Sequence, residues 1–185
     1  KVESEVLRET QLVVCLLFQY AGMSFVDFAH LKERNIKNGI LDYNRQKTGT
    51  PMRLEILDTA ELMRKELMGD KKPASGYLFP FLSGTKTGYE AYLEYNAALS
   101  RFNRNLKALK KAAGIASDVT SYTIRHSFAM ALKEQNVPIE MISELLGHKS
   151  IKTTQIYLRS FSLEKMTEVN STCFGCVYNY VSKVG

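Results

Sequence analysis

Apolar residues recur along most of the chain at alternating spacings of three and four, the period of a helix with one buried face. The pattern predicts helices over about residues 4–20, 59–68, 89–113, 121–135, 138–146 and 150–158, with a last stretch near residues 163–169. Ser24 and Asp27 have the spacing of a capping box, which predicts the start of a further short helix. The chain is therefore expected to be mainly helical.

The segment from residue 39 to residue 56 departs from the helical period. It contains two short runs typical of strands, one on each side of the turn KTGTP. We expect a β-hairpin here, with Lys47 at its tip. Gly, Pro and Ser interrupt residues 69–88, which predicts a loop. Together these elements indicate an α+β fold, mainly α, with a small antiparallel β-sheet on one edge.

The composition agrees with a single domain that has a polyanionic partner. With 185 residues, of which 45% are hydrophobic, the chain is long enough for one sizeable core. Its net charge of +6 is spread along the sequence and suits a polyanion. No apolar run reaches the roughly 18 residues of a membrane span, and Cys173 and Cys176 lack the second ligand pair of a zinc site. We expect a cytoplasmic protein without a bound metal.

Arg125 lies between Ile124 and the apolar stretch that follows it, so its guanidinium is expected to be at least half-buried. A buried guanidinium needs an anion, and a structural salt bridge with a nearby carboxylate is one way to supply it. Several other polar residues favour a different anion. They are Lys47 at the hairpin tip, Tyr122 one helical turn before Arg125, His148 after a helix break at Gly147, and Tyr157 nine residues later.

These residues lie in four motifs that resemble those of the tyrosine recombinase, or phage-type integrase, family. The family pattern H-x-x-R-H-[ST] is matched by residues 122–127, YTIRHS; L-G-H is matched by residues 146–148 and T-x-x-Y by residues 154–157. The upstream hairpin lysine of the family is matched by Lys47 in RQKTG. All four occur in the family's order and spacing, over nearly the whole chain. The likeness is closest to Bacteroides-type members.

The resemblance implies the tyrosine recombinase catalytic-domain fold and a reaction on DNA. In that family a tyrosine oxygen attacks a backbone phosphate, without metal, cofactor or external energy, and forms a 3′-phosphotyrosyl ester that a 5′-hydroxyl later reverses. By this likeness Tyr157 is the nucleophile, and Arg125 is a bidentate donor to the phosphate. Lys47 is expected to protonate the leaving 5′-oxygen, and His148 to donate to a non-bridging oxygen.

Two positions depart from the family pattern. Tyr122 stands in place of a histidine; its phenol can donate a hydrogen bond to a phosphate, but a pKa of about 10 makes it a poor proton shuttle. The family's first arginine is missing, because Ser24 occupies its aligned place and Ala21 the place used in Bacteroides-type relatives. Three explanations stay open: Arg45 or Arg8 takes its role, the sequence is an inactivated variant, or the enzyme is slow.

The resemblance also implies the partners. The expected partner is double-stranded DNA, bound by family members as tetramers on paired sites, with residues 160–185 as the candidate contact to a neighbouring subunit. Residues 1–185 are expected to form one catalytic domain, without the family's N-terminal core-binding domain, in a nucleoid-associated cytoplasmic protein. The residues predicted to contact DNA are Arg45, Arg101, Arg104, Lys107, Lys149 and Lys152. Those within residues 89–113 suit a solvated helix face equally well.

Other functions are compatible with parts of the pattern. Residues 137–158 read as a helix, a Gly-containing turn and a second polar helix, so a non-enzymatic helix-turn-helix DNA-binding module is the main alternative. That alternative leaves Lys47 and Tyr157 without a role. A second alternative is a topoisomerase-like enzyme with the same tyrosine chemistry. Whether strand exchange needs two DNA sites bound together would distinguish it from a recombinase. An unrelated structural or interaction protein is the third alternative.

Overall fold

The computed structural model describes residues 4–71, 73 and 76–158. Its helices are α1 (Glu5–Gln19), α2 (Phe25–Ala29), α3 (Asp58–Met68), α4 (Gly88–Ala112), α5 (Ser121–Glu134), α6 (Ile139–Leu145) and α7 (Ile151–Tyr157). Its strands are β1 (Ile36–Lys37), β2 (Ile40–Asn44) and β3 (Pro51–Glu55), with a short 3₁₀ helix (Glu33–Asn35) before β1. The mainly helical α+β prediction is confirmed. The helix predicted near residues 163–169 lies outside the described residues.

The helix ends follow the local sequence signals closely. The hydroxyl oxygen of Ser24 accepts a hydrogen bond from the backbone N–H of Asp27 and begins α2, as predicted. Thr120 and Thr123 form a reciprocal capping box at the start of α5. Such bonds satisfy N–H groups that the first helical turn leaves unpaired, which is why short-range patterns locate these ends well.

The three strands form an antiparallel sheet in the order β1-β2-β3. β2 and β3 are the two arms of the predicted hairpin, with Tyr43 opposite Met52 and Asn44 opposite Pro51. Leu41, Tyr43 and Met52 are buried while their neighbours along the strands are more exposed, so one face of the sheet packs against the helices. The sequence did not predict β1, because two residues are too few for an alternating pattern to show.

Helix α1 lies at the centre of the fold and packs against α3, α4 and α5. Its buried apolar side chains are Leu12, Val13, Leu16 and Leu17. Two apolar residues of the helix are exposed, Val6 at 51% and Phe18 at 38%. Val6 lies in the first helical turn, ahead of the buried part, and Phe18 packs edge-to-face on Phe128 of α5, with ring centroids 5.2 Å apart. None of the helices in the described part of the chain is long and apolar enough to cross a membrane.

Stacked phenylalanine rings hold α2 in place. Phe28 stacks on Phe79 with ring centroids 4.1 Å apart, and Phe25 stacks on Phe102 of α4 at 4.6 Å. A helix of five residues gains little from its own hydrogen bonds, so these aromatic contacts supply most of its stability. They also hold Asp27, which is buried on the same helix.

The chain reverses direction after α1 at Ala21 and Gly22, which both have left-handed backbone conformations, with φ of 55° and 63°. A Cβ atom on Gly22 would lie 2.9 Å from the ring of Phe128. Glycine is therefore needed here both for its backbone conformation and for the close approach of α5.

We expect Gly22→Ala to lower the free energy of unfolding by roughly 2–4 kcal/mol, because it adds a clash with Phe128 to an unfavourable φ. Gly39→Ala is the matched control, since Gly39 also has a positive φ, 75°, but its Cβ would meet nothing within 4 Å. Urea unfolding followed by circular dichroism measures both. Equal losses in the two variants would show that the contact with Phe128 carries no cost.

Candidate active site

Arg125 lies on the inner side of α5 and is only 5% exposed. Its Nη1 donates to the carbonyl oxygen of Gly22 at 2.9 Å, and its Nη2 donates to the carbonyl oxygen of Leu146. One side chain therefore joins the ends of α1 and α6. Carbonyl oxygens satisfy N–H groups of a guanidinium but carry no net charge, so these two bonds leave its attraction for an anion in place.

His148 follows α6, and its ring lies beside Arg125. Nε2 of the ring is 3.4 Å from Nη2 of Arg125, and Nδ1 is 2.9 Å from the hydroxyl oxygen of Thr154 in α7. Burial lowers the pKa of His148, and the positive charges of Arg125 and Arg45 lower it further, to about 4. The imidazole is therefore neutral at pH 7.

A second guanidinium, that of Arg45, reaches the same place from the end of β2. Arg45 is 7% exposed, and its Nη1 donates to the carbonyl oxygen of Gly147 at 2.9 Å. Its Nε lies 3.6 Å from Oδ2 of Asp27, a buried ion pair. The two arginine side chains thus bind consecutive carbonyls, those of Leu146 and Gly147, in the break between α6 and α7.

Asp27 attaches the hairpin to α2. Its carboxylate accepts from the backbone N–H of Gln46 at 2.7 Å and from the hydroxyl of Ser24 at 2.5 Å, in addition to the ion pair with Arg45. The sequence identified Asp27 only as a helix-start residue. Its partners Arg45 and Gln46 lie 18 and 19 positions away, and no local pattern connects them.

Gly147 allows the hairpin to approach the helix break. Its φ is 61°, and a Cβ atom would lie 2.7 Å from Cδ of Arg45 and would overlap Sδ of Met52. The glycine of the L-G-H motif is therefore required by space as well as by backbone conformation. A side chain here would displace Arg45 from the carbonyl that it binds.

Two predicted site residues lie around this buried group. Lys47 is exposed in the β2–β3 turn, two residues after Arg45. Tyr122 is exposed in the first turn of α5, one turn before Arg125. The predicted residues therefore divide into an inner pair, Arg125 and His148, and an outer pair that a large substrate could reach.

The predicted nucleophile, Tyr157, is the last residue of α7. It follows Thr154, the hydrogen-bond partner of His148, by three residues, which is a rise of about 4.5 Å along the helix. The side chain of Tyr157 lies outside the described part of the structure, as do residues 160–185.

The charges of the buried groups favour an anion. Arg45 and Arg125 are cations, Asp27 is an anion, and His148 is neutral at pH 7. Burial raises the pKa of Tyr43, and Asp27 raises it further, so this neighbouring phenol is also neutral. The net charge of these five groups is therefore +1, from two cations, one anion and two neutral groups. In the described part of the chain, no three His, Cys, Asp or Glu side chains are grouped so that they could hold a metal ion.

The positions aligned with the missing arginine carry no charge of their own. Ser24 caps α2 and donates to Asp27, while Ala21 is buried in the left-handed turn. Arg8, one proposed substitute, pairs with Glu66 on the surface at 2.7 Å. It is about 20 Å from Gly22 along the axis of α1, which rules it out of this site.

Most of the residues predicted to contact DNA are exposed in the structure: Arg101, Arg104, Lys107, Lys149 and Lys152. Arg45 is different. It is buried, because Asp27 and Gly147 hold its guanidinium inside the fold, and its contact with DNA stays a prediction. The other role predicted for it, as substitute for the first arginine, is compatible with its position beside His148.

The model of the phage integrase family matches residues 3–164, which include the hairpin, α5 and the break between α6 and α7. The chain belongs to the phage integrase family. Among curated proteins, the chain is similar to the tyrosine recombinase XerD of Lacticaseibacillus casei, with 52% identity over 54 residues. These residues are 29% of this chain but 18% of that protein, so the alignment spans less than a fifth of the relative.

Solved structures of recombinases share the fold of this chain. The crystal structure of XerA recombinase has a TM-score of 0.64 at 21% identity, over 93% of this chain and 64% of that one. The Tn1549 transposon integrase in complex with a circular intermediate DNA has a TM-score of 0.65 at 15% identity, over 91% and 60%. The predicted tyrosine recombinase catalytic-domain fold is confirmed.

We expect His148 to titrate at a pH of about 4 in the folded integrase and about 6.5 in the unfolded chain. As pH falls through this window the unfolded chain takes up the proton first, so stability decreases, by roughly 1–2 kcal/mol for a ring that is only partly buried. NMR titration and urea unfolding between these pH values measure both effects.

His148→Gln should remove the ring signal that titrates near pH 4 and flatten this part of the stability profile. His126→Gln, a change on α5 at another partly buried histidine, is the control and should retain both. A His148 midpoint near that of free histidine would show that Arg125 and Arg45 do not act on the ring.

Proposed function

We propose that this integrase breaks and rejoins DNA at specific sites through a 3′-phosphotyrosyl intermediate on Tyr157, without external energy. The main support is the arrangement of Arg125, Arg45 and His148 around the break between α6 and α7, which directly precedes the helix that ends at Tyr157. Two fixed guanidiniums and a neutral imidazole suit a phosphodiester, whose non-bridging oxygens carry the charge during attack.

In the proposed cleavage step, the phenol of Tyr157 gives its proton to water, its oxygen bonds to phosphorus, and the bond from phosphorus to the 5′-oxygen breaks. Lys47 gives a proton to that leaving oxygen. Its exposed place in the hairpin turn lets an ammonium group reach a DNA strand lying over the site. Rejoining is the reverse, with a 5′-hydroxyl of the same or another strand as nucleophile.

The remaining roles concern the charge on the phosphate. Arg125 and His148 are proposed to donate to non-bridging oxygens, and Tyr122 to add a hydrogen bond where the family pattern has a histidine. Because His148 is neutral, it would act as a hydrogen-bond donor and not as a third cation. The positive charge must therefore come from the arginines.

We further propose that Arg45 takes the role of the missing first arginine. Ser24, at the aligned place on α2, donates to Asp27, and Asp27 holds Arg45. The guanidinium thus comes from the end of β2, while the residue at the aligned place helps to orient it. The bond from Arg45 to the carbonyl oxygen of Gly147, the residue before His148, supports this placement. The position of Arg45 therefore favours an active enzyme over the explanation that the sequence is an inactivated variant.

The same proposal extends to partners. Residues 1–185 would act as a catalytic domain on double-stranded DNA, in a tetramer on paired sites, with residues 160–185 contacting a neighbouring subunit. The exposed basic residues of α4, with Lys149 and Lys152, would contact the DNA backbone. We also propose that the chain is a Bacteroides-type member, because the sequence Gly-Met-Ser at residues 22–24 follows α1. The proposal of a nucleoid-associated, cytoplasmic location rests on the proposed DNA substrate.

We expect Tyr157→Phe to abolish covalent protein–DNA adducts while DNA affinity stays within about two-fold, because only the attacking oxygen is removed. The substrate is a nicked, random-sequence duplex library, in which the cleaved 5′-end diffuses away and traps the adduct for denaturing gels. Tyr89→Phe, an exposed tyrosine of α4, is the control. An adduct with Tyr157→Phe would refute the nucleophile, and DNA binding without any wild-type adduct would favour the helix-turn-helix module.

We expect Arg45→Lys to slow adduct formation by roughly 10²–10³-fold, because an ammonium cannot reproduce the planar, fixed donor pair. Arg53→Lys, exposed on β3 of the same hairpin, is the control and should leave the rate near wild type. Thermal melting of both variants checks the fold. A folded Arg45→Lys protein with the wild-type rate would limit Arg45 to a structural role.

A further inference from the structure

Thr154 lies on the inner side of α7 and is fully buried, with 0% exposure. Its hydroxyl oxygen is 2.9 Å from Nδ1 of His148, six residues earlier in the chain. A buried hydroxyl is costly unless it is hydrogen-bonded, so this contact is favoured over burying the group without one. Thr154 belongs to the T-x-x-Y segment, but the reaction outlined above gives it no task.

The other side of the imidazole ring faces Arg125. Nε2 of His148 is 3.4 Å from Nη2 of Arg125, and a guanidinium has donors only. The contact is attractive when Nε2 carries the lone pair, and the single ring proton of a neutral histidine then lies on Nδ1. That proton points at the hydroxyl oxygen of Thr154, which accepts it.

We propose that Thr154 is a positioning residue: its hydroxyl holds the His148 ring so that Nε2 faces the guanidinium of Arg125, and it accepts the proton that this contact places on Nδ1. The assignment of Nε2 to the phosphate side rests on the proposed function. The choice of tautomer in the free protein does not, because it is argued from the contacts of the ring with Thr154 and Arg125, and no substrate is involved.

A hydroxyl suits this position because it can accept or donate. In the free protein it accepts from Nδ1. When a phosphate oxygen lies between Arg125 and His148, Nε2 must donate to it; the ring then loses the proton at Nδ1, gains one at Nε2 by exchange with water, and stays neutral. The Thr154 hydroxyl rotates and donates to Nδ1. A valine of the same shape could support neither state.

The bond also ties the nucleophile's helix to the arginine site. Thr154 precedes Tyr157 by one helical turn, so the ring of His148 links α7 to Arg125 on α5. Loss of the hydroxyl should therefore affect the rate of attack more than the affinity for DNA.

The experiment compares the full chain with Thr154→Val, Thr154→Ser and Thr153→Val, the last being an exposed threonine beside it on α7. The ¹⁵N shifts of the His148 ring in the free protein distinguish a protonated from an unprotonated nitrogen. Adduct formation on the nicked library at saturating DNA measures the rate. Thermal melting confirms that each variant is folded.

We expect the His148 ring of the free wild-type protein to carry its proton on Nδ1. In Thr154→Val the preference for Nδ1 over Nε2 should be lost, because the hydroxyl that accepts this proton is gone. We expect Thr154→Val to form adducts roughly 10–100-fold more slowly at unchanged DNA affinity, while Thr154→Ser recovers most of the rate. Thr153→Val should match wild type in both measurements.

Two results would overturn the proposal. One is a wild-type tautomer that Thr154→Val does not change. The other is an equal loss of rate in Thr154→Ser and Thr154→Val, which would indicate packing and not the hydroxyl. If the wild type forms no adduct at all, the proposed function fails, whereas the ¹⁵N shifts still decide the tautomer.

Discussion

Arg125 donates from a buried position on α5 to the carbonyl of Gly22 at the end of α1 and to that of Leu146 at the end of α6, 103 and 21 residues away. A guanidinium removed from water is stabilised only where acceptors meet its donors. The relative positions of three helices are thereby coupled to one side chain. The left-handed turn at Gly22 and the close approach of Phe128 place the first carbonyl, so packing and charge require the same arrangement.

The break between α6 and α7 gathers the polar groups that the helices themselves cannot present. Carbonyls in a continuous helix are bonded within it, whereas those of Leu146 and Gly147 are available to two arginines. Gly147 is needed for the sharp turn and for the nearness of Arg45. The neutrality of His148 follows from this crowding, because two nearby cations and partial burial oppose a third positive charge.

The first arginine of the family pattern is absent from its usual place, yet a guanidinium is present beside His148. This guanidinium is that of Arg45, and it is connected to a serine and an aspartate on a different element. Ser24 and Asp27 lie at the start of α2, and Asp27 holds both Arg45 and the backbone of Gln46. A second guanidinium therefore lies near His148, and it comes from a chain position other than the one aligned with the family's first arginine.

The sequence by itself determined the helices, the hairpin, the order of the motifs and the identity of Arg125, His148, Lys47 and Tyr157 as candidates. The helices and the hairpin depend on residues a few positions apart, where helical period, capping and turn preferences act. The candidate residues were identified by the resemblance of their motifs to those of the family. The burial of Arg45 and the second role of Asp27 were decided by tertiary structure alone. Each of them needs a partner 18 or more residues away, and only the packed fold brings such partners together.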